Sequence, residues 1–187
     1  QIIVLQDMLI TYLSMSRFKD LITEVPDFPI DGVNFKDISP LLADEQVFDE
    51  CIEGMGEMVE MPDYWVGMDA RGFIFASALS IYFGGGIVMC RKKGKLPPPT
   101  IDAQYNTEYS TGHISMKEGT GSVVIVDDVL ATGGTLMAVN DLCKKAGYDI
   151  IDNLVLIDLK YLPRVEKKWP VNTKDFNLKV RSLISYE

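Results

Sequence analysis

The chain has 187 residues, 47% hydrophobic and 24% charged, with a formal net charge of −9 and a pI near 4.6. That length suits one domain able to bury its own core, no apolar run approaches the ~18 residues of a membrane-crossing helix, and the acidic balance argues against general affinity for nucleic acid or anionic membrane. Any anion must therefore be held by a local patch, which is physically sufficient because charges beyond ~8 Å are largely screened at physiological salt.

Residues 1–24 are expected to form an N-terminal extension or helix. The opening "QIIVLQDMLITYL" is apolar but interrupted by Asp7, with no basic segment before it and no small-residue cleavage site after it, so it does not read as a signal peptide. Apolar positions at three- and four-residue spacing from about Met8 to Ile22, and again from about Gln46 to Val59, indicate amphipathic helices. Between them, residues 25–40 ("VPDFPIDGVNFKDISP") are dense in Pro, Gly and Asp and read as an ordered surface loop.

From there strand and helix signals alternate. The order is strand Tyr64–Met68, helix Phe73–Phe83, strand Gly86–Cys90, strand Ser122–Val126, helix Leu136–Gly147 and strand Asn153–Leu159. Continuous apolar strands separated by helices indicate an α/β fold, its central sheet mainly parallel and flanked by helices. Residues 92–122 fit neither period, and a stretch of that length is a functional lid or a hairpin of its own. Cys51, Cys90 and Cys143 are odd in number and far apart, which points to reduced thiols and a cytoplasmic setting. With a single His, a zinc site is not expected.

In open α/β sheets ligands bind beyond the carboxyl ends of the strands. Three predicted strands run there into charged or turn-forming residues: Asp69-Ala70-Arg71-Gly72, Arg91 to Lys95 ("RKKGK"), and Asp127-Asp128 followed by Ala131-Thr132-Gly133-Gly134-Thr135. In the last, two glycines permit a tight turn into a helix whose free N–H groups and dipole favour an anion, and Thr132 and Thr135 add hydroxyl donors. A phosphate monoester fits; a plain turn with its threonines capping the helix is the alternative. It is neither a Walker loop nor G-x-G-x-x-G.

The adjacent carboxylates of Asp127 and Asp128 repel unless donors or a divalent cation face them, and the two hydroxyls of a ribose would serve. A solvated acidic loop is the competing reading. The basic run is the densest in the chain and suits a second, more highly charged anion, with Arg71 converging on it, unless it is merely a solvated face. His113 reads as an exposed loop histidine without a nucleophilic partner, and Glu108 as a surface carboxylate or a group carried by a lid onto substrate.

Taken together, "VVIVDDVLATGGT" resembles the phosphoribosyl pyrophosphate signature of type I phosphoribosyltransferases. "PDFPIDGVNFKDISPLL", "GMDARGFIFASALS", "RKKGKLPPPT", "EYSTG" and the terminal "SYE" follow in the order seen in the adenine phosphoribosyltransferase branch, from about Phe18 to Glu187. The resemblance implies one phosphoribosyltransferase domain over residues 1–187, with a small base-binding hood at residues 25–40 and a flexible lid at residues 92–122. It implies transfer of ribose 5-phosphate from 5-phospho-α-D-ribose 1-diphosphate to N9 of adenine, giving AMP and pyrophosphate.

By the same resemblance Asp127 and Asp128 hold the ribose hydroxyls, Ala131, Thr132, Gly133, Gly134 and Thr135 wrap the 5-phosphate, and Arg71, Arg91 and Lys95 face pyrophosphate. Glu108 is the lid carboxylate near the purine. Phe35 and Leu159 sandwich the base, and backbone around Asn34 and Lys36 reads its edge. Mg²⁺ is expected, held mainly through substrate oxygens and water, and the assembly is expected to be a homodimer. The chain departs from the pattern at Asn34, Lys36 and Pro98, where an aliphatic residue, an arginine and a glycine are usual. The alternatives are the same chemistry on hypoxanthine, guanine or orotate, a non-enzymatic sensor of the sugar diphosphate, and an interaction protein with a dead site.

Overall fold

A computed structural model of the chain describes residues 16–106, 111–164 and 179–187. Two compact units divide at Glu53 and Gly54. The first unit contains residues 16–20 in helical conformation, strands β1 (Thr23–Val25) and β2 (Phe35–Asp37), the short helix α1 (Ser39–Ala43) and most of α2 (Glu45–Gly56). β1 and β2 pair antiparallel with Glu24 opposite Lys36. Asp44 starts α2, its side chain accepting from the Val47 amide at 3.0 Å as an N-cap does. Of the N-terminal helix expected from Met8 to Ile22, the portion before residue 16 lies outside the described residues, and the helical stretch ends in time for β1 to begin at Thr23.

The second unit is built on a seven-stranded sheet. Its strands are β3 (Tyr64–Met68), β4 (Gly86–Lys92), β5 (Ile101–Asn106), β6 (Thr111–Met116), β7 (Ser122–Leu130), β8 (Asp149–Leu159) and β9 (Val180–Tyr186), in the order β5-β6-β4-β3-β7-β8-β9. The five from β4 through β3, β7 and β8 to β9 run parallel, while β6 joins β4 antiparallel and pairs with β5. The sheet is mainly parallel and flanked by helices, because the crossovers from β3 to β4 and from β7 to β8 each carry a helix over a face.

Helix α3 (Gly72–Phe83) leaves β3 and packs with Phe75, Ala76 and Leu79 buried. Helix α4 (Gly134–Ala146) lies on the core that Val66, Met68, Val123 and Ile125 build, burying Leu136, Val139, Leu142 and Cys143 into it. Val124, Ile125 and Val126 are wholly inaccessible, as the middle strand of a two-faced sheet requires.

Two expected strands are longer than read, and the 92–122 stretch takes the hairpin alternative. β7 continues through Asp127 and Asp128 to Leu130: the acidic pair is part of the strand, with Asp127 opposite Val155 and Val129 opposite Ile157 of β8. β8 likewise starts at Asp149 rather than Asn153. Within residues 92–122, Ile101–Asn106 and Thr111–Met116 pair as an antiparallel hairpin carried on the edge of the main sheet, anchored by Ala103, Ile114 and Met116 in the core, with Ile101 packed against it.

Candidate active site

Because β3, β4, β7 and β8 are parallel, their carboxyl ends share one edge. The register sets Met68 beside Cys90, Gly67 beside Val126, and Leu130 beside Asp158. Asp69 and Arg71, the Arg91 run, Asp127 to Thr135, and Leu159 are therefore delivered to that edge by the backbone alone.

The acidic pair is the most constrained feature there. Asp128 is only 4% exposed, and its Oδ2 lies 2.8 Å from Nε of Arg71. The Asp128 amide donates to Oδ1 of Asp127 at 2.9 Å. Burial first, and then the neighbouring Asp128 charge, push the Asp127 carboxyl well above the ordinary carboxylate range. Burial also raises Asp128, with the Arg71 guanidinium pulling the other way. Two carboxyls kept this dry are poised to accept hydrogen bonds from donors brought by a ligand.

Helix α3 abuts this pair because Gly72 has no side chain. A Cβ at Gly72 would stand 2.6 Å from the Val126 carbonyl oxygen and 3.2 Å from Oδ1 of Asp127, so any larger residue would drive the helix and its preceding Arg71 off the strand.

Three residues after β7 the chain turns at Gly133, whose φ of 90° lies in the left-handed region. Gly133 caps α4 with no side-chain cap, so the threonines do not satisfy the helix start. The amides of the first turn, up to Met137, which bonds Gly133 O at 3.0 Å, are left pointing outward, as helix N-termini do. A cavity of about 90 Å³ sits there, lined by Asp127, Val129 to Leu136 and Val155. That is several times the ~10–15 Å³ that admits one water, and open N–H groups with a helix dipole suit a phosphate.

The basic run is arranged differently. Arg91 places Nε 3.2 Å from Oδ2 of Asp69 and donates from Nη1 to the Lys95 carbonyl at 3.2 Å, curling the run into a turn. Its guanidinium also lies 5.8 Å from the Phe73 ring centroid. Lys93 pairs with Asp102 at 3.0 Å, and the Lys95 side chain is exposed. Lys117 donates to the carbonyls of Pro97 and Pro99, stapling the proline segment that contains Pro98. His113 is exposed, though on β6 rather than in a loop.

In the first unit Phe35 packs edge-on against Phe28 with centroids 5.2 Å apart. Asn34 is exposed and Lys36 buried. Leu159, 5% exposed, ends β8 opposite Tyr186 in the second unit. Glu108 lies outside the described residues.

Sequence reasoning missed Arg164. Its guanidinium bonds the Ala131 carbonyl, the Asp158 carboxylate and, at 3.4 Å, the Leu159 carbonyl, tying the glycine turn to the end of β8. No local signal announces it, because the three acceptors are five to thirty-three residues away. Asp69 could have been found: it adjoins Arg71 and is an acid between a strand and a helix.

Comparison with known proteins bears on the same residues. The family model described as the phosphoribosyl transferase domain matches residues 38–183. The chain belongs to the phosphoribosyltransferase family. Within that family it is 43% identical to the adenine phosphoribosyltransferase of Bdellovibrio bacteriovorus, over 90% of this chain and 98% of the relative, and 42% identical to that of Mycoplasma mobile, over 92% and 98%. Among solved structures, the adenine phosphoribosyltransferase of Thermoanaerobacter pseudethanolicus superposes with a TM-score of 0.81 at 36% identity, covering 92% of this chain and 99% of that one. The Saccharomyces cerevisiae enzyme, complexed with an imino-altritol bisphosphate and adenine, gives 0.81 at 27% over 92% and 99%.

Proposed function

We propose that the chain is an adenine phosphoribosyltransferase. It transfers ribose 5-phosphate from 5-phospho-α-D-ribose 1-diphosphate to N9 of adenine, releasing pyrophosphate and forming AMP. The observation that carries this is the meeting, at one sheet edge, of the Asp127–Asp128–Arg71 cluster with the uncapped helix start at Gly133. The two together match a ribose bearing a 5-phosphate, and the relatives described above catalyse the adenine reaction by name.

In the reaction the C1–O bond breaks with its electron pair leaving on pyrophosphate, the N9–C1 bond forms, and the N9 proton is released. Positive charge grows on the sugar and negative charge on the leaving group, so the protein must hold the first and neutralise the second. Asp127 and Asp128 accept from the ribose hydroxyls and fix the ring. Ala131 to Thr135 bind the 5-phosphate through backbone N–H groups and the Thr132 and Thr135 hydroxyls. Arg71, Arg91 and Lys95 face the pyrophosphate. Phe35 lies against the base, backbone around Asn34 and Lys36 reads its edge, and Glu108 governs the purine proton.

Among the described residues no three carboxylates converge as a metal cage, so a divalent cation would meet the protein mainly through water. Mg²⁺ would be held mainly through substrate oxygens and water and would neutralise charge on the leaving group.

We further propose a homodimer. Helix α3 carries no charged residue in twelve positions, and helices apolar on every side are normally covered on every side. Yet Ile81 is 88% exposed, with Ile74 and Tyr82 on the same face, and Ile87 and Met89 of β4 exposed on the sheet face that α3 packs against. A second copy would cover this strip; light scattering should then give twice 20.9 kDa, and a single-copy mass would refute it. Three buried free cysteines support a reducing, cytoplasmic setting, and no described helix is long and apolar enough to cross a membrane.

The function is tested by offering adenine, hypoxanthine, guanine and orotate separately, with Mg²⁺ and the sugar diphosphate. Nucleotide should form with adenine. Product with another base instead would reassign the substrate, and none with any base would leave a sensor or a dead site.

A further inference from the structure

We propose that Glu24 is a positioning residue for the base, its carboxylate gripping Asn34 and Lys36 on either side of Phe35. The inference rests on the reading of residues 34–36 as the purine-reading strand. Glu24 stands at the centre of β1, directly opposite Lys36 of β2. Its Oε1 lies 2.5 Å from Nζ of Lys36, and its Oε2 accepts from Nδ2 of Asn34 at 2.7 Å.

Side chains two apart on a strand share a face, and the one between them points the other way. Lys36 therefore shares the Glu24 face, Asn34 just before the strand reaches the same carboxylate, and Phe35 turns to the opposite face, where Phe28 braces it. The Lys36 side chain is 3% exposed, and an ammonium that dry is costly without a carboxylate beside it. Lys36 in turn, with Asn34, holds the Glu24 carboxyl below the usual range.

The clamp matters because β1 and β2 are only three residues each and form a two-stranded sheet of their own. A ribbon that short is marginal by itself, so the orientation of its backbone depends on cross-strand side-chain pairs. With both flanking side chains drawn onto the Glu24 face, the Phe35 ring and the strand's backbone groups are what remain for a ligand. This accounts for how polar Asn34 and lysine at 36 stand in a site meant for a flat, largely apolar base: their polar ends are spent on Glu24.

The experiment measures steady-state kinetics of the full-length protein with adenine and the sugar diphosphate varied independently, for Glu24→Ala, Glu24→Gln and the exchange Glu24→Lys/Lys36→Glu, with Phe35→Ala as control. Glu24→Ala should raise KM for adenine about 2- to 10-fold, the range of lost hydrogen bonds, while kcat and the KM for the sugar diphosphate stay within about twofold. Glu24→Gln, which keeps the acceptor for Asn34 but not the charge, should fall between. The exchange should restore part of the loss.

If Phe35→Ala raises the adenine KM and Glu24→Ala does not, the clamp is wrong and the base site stands. If neither moves it, the base-site reading fails and takes the clamp with it. A rise in both KM values with a fall in kcat would mark general loosening and overturn the positioning role.

Discussion

The carboxyl ends of β7 and β4 flank β3 on the same edge of one sheet, and they hold opposite charges in opposite ways. At the end of β7 one carboxyl is buried and its neighbour half-buried within the strand, with one partly exposed arginine for company. At the end of β4 the lysines stand in solvent, and a half-buried Arg91 is kept in place by Asp69 and a backbone carbonyl. The first end is built in advance and tolerates unfavourable electrostatics to be so; the second is adjustable and costs the fold little. That division suits a reaction in which the sugar must be held rigidly while a highly charged group is received, neutralised and let go.

The strongest way to break this comparison is to remove charge from the β7 end. Asp128→Asn weakens a charge-assisted contact worth ~1.5 to 3 kcal/mol, which should cut kcat/KM roughly 10- to 150-fold; a rate unchanged from wild type would remove the ribose assignment. Asp127→Asn should likewise lose activity yet stabilise the unliganded fold. The sign follows from its raised carboxyl. A carboxyl whose folded pKa lies above its unfolded value favours the fold only while protonated, so wild type loses stability as pH rises from the ordinary carboxyl range toward the raised one. The variant's advantage should be nil near pH 4 and grow toward neutrality by at most ~1.4 kcal/mol per pH unit, each kcal/mol raising Tm about 2–4 °C. Melting curves at pH 5 and pH 8 check this; an advantage that shrinks with pH would mean that the pair is not strained in the free protein.

Why β7 was read four residues short in the sequence follows from the same burial. Asp127 and Asp128 look like a strand end because carboxylates rarely enter cores. They remain in the strand because Arg71, fifty-odd residues earlier and on another element, answers Asp128, and no pattern within β7 announces a partner so distant. Strand Tyr64–Met68, by contrast, is fully legible, being five residues bounded by Asp63 and Asp69. β9 was not read because Arg181 and two serines interrupt its apolar positions; its register depends instead on Asp152, buried and paired with both Lys179 and Arg181 from across β8. The β5–β6 hairpin was one of two readings of its stretch, but its strand bounds were not legible for a related reason, an edge ribbon needing apolar side chains on one face only. In the site, motifs that lie within a few residues of each other were readable, and ties made across the fold, Glu24 to Lys36 and Arg164 to Ala131, were not.

The gentler test is at the β4 end. Arg91→Ala removes a guanidinium about one-third exposed, paired with Asp69 where water competes. Such pairs contribute ~0.2 to 1 kcal/mol, so the KM for the sugar diphosphate should rise about two- to fivefold at low salt, with the KM for adenine unmoved. The rise should shrink as ionic strength goes from 10 mM to 500 mM, since ions screen exposed charges over a Debye length falling from about 30 Å to less than 8 Å. The Asp128→Asn defect, seated in a dry strand, should not change over the same range. Two defects with the same salt dependence would mean that both ends meet the substrate through solvent, and the distinction between a prepared grip and an adjustable one would have to be given up.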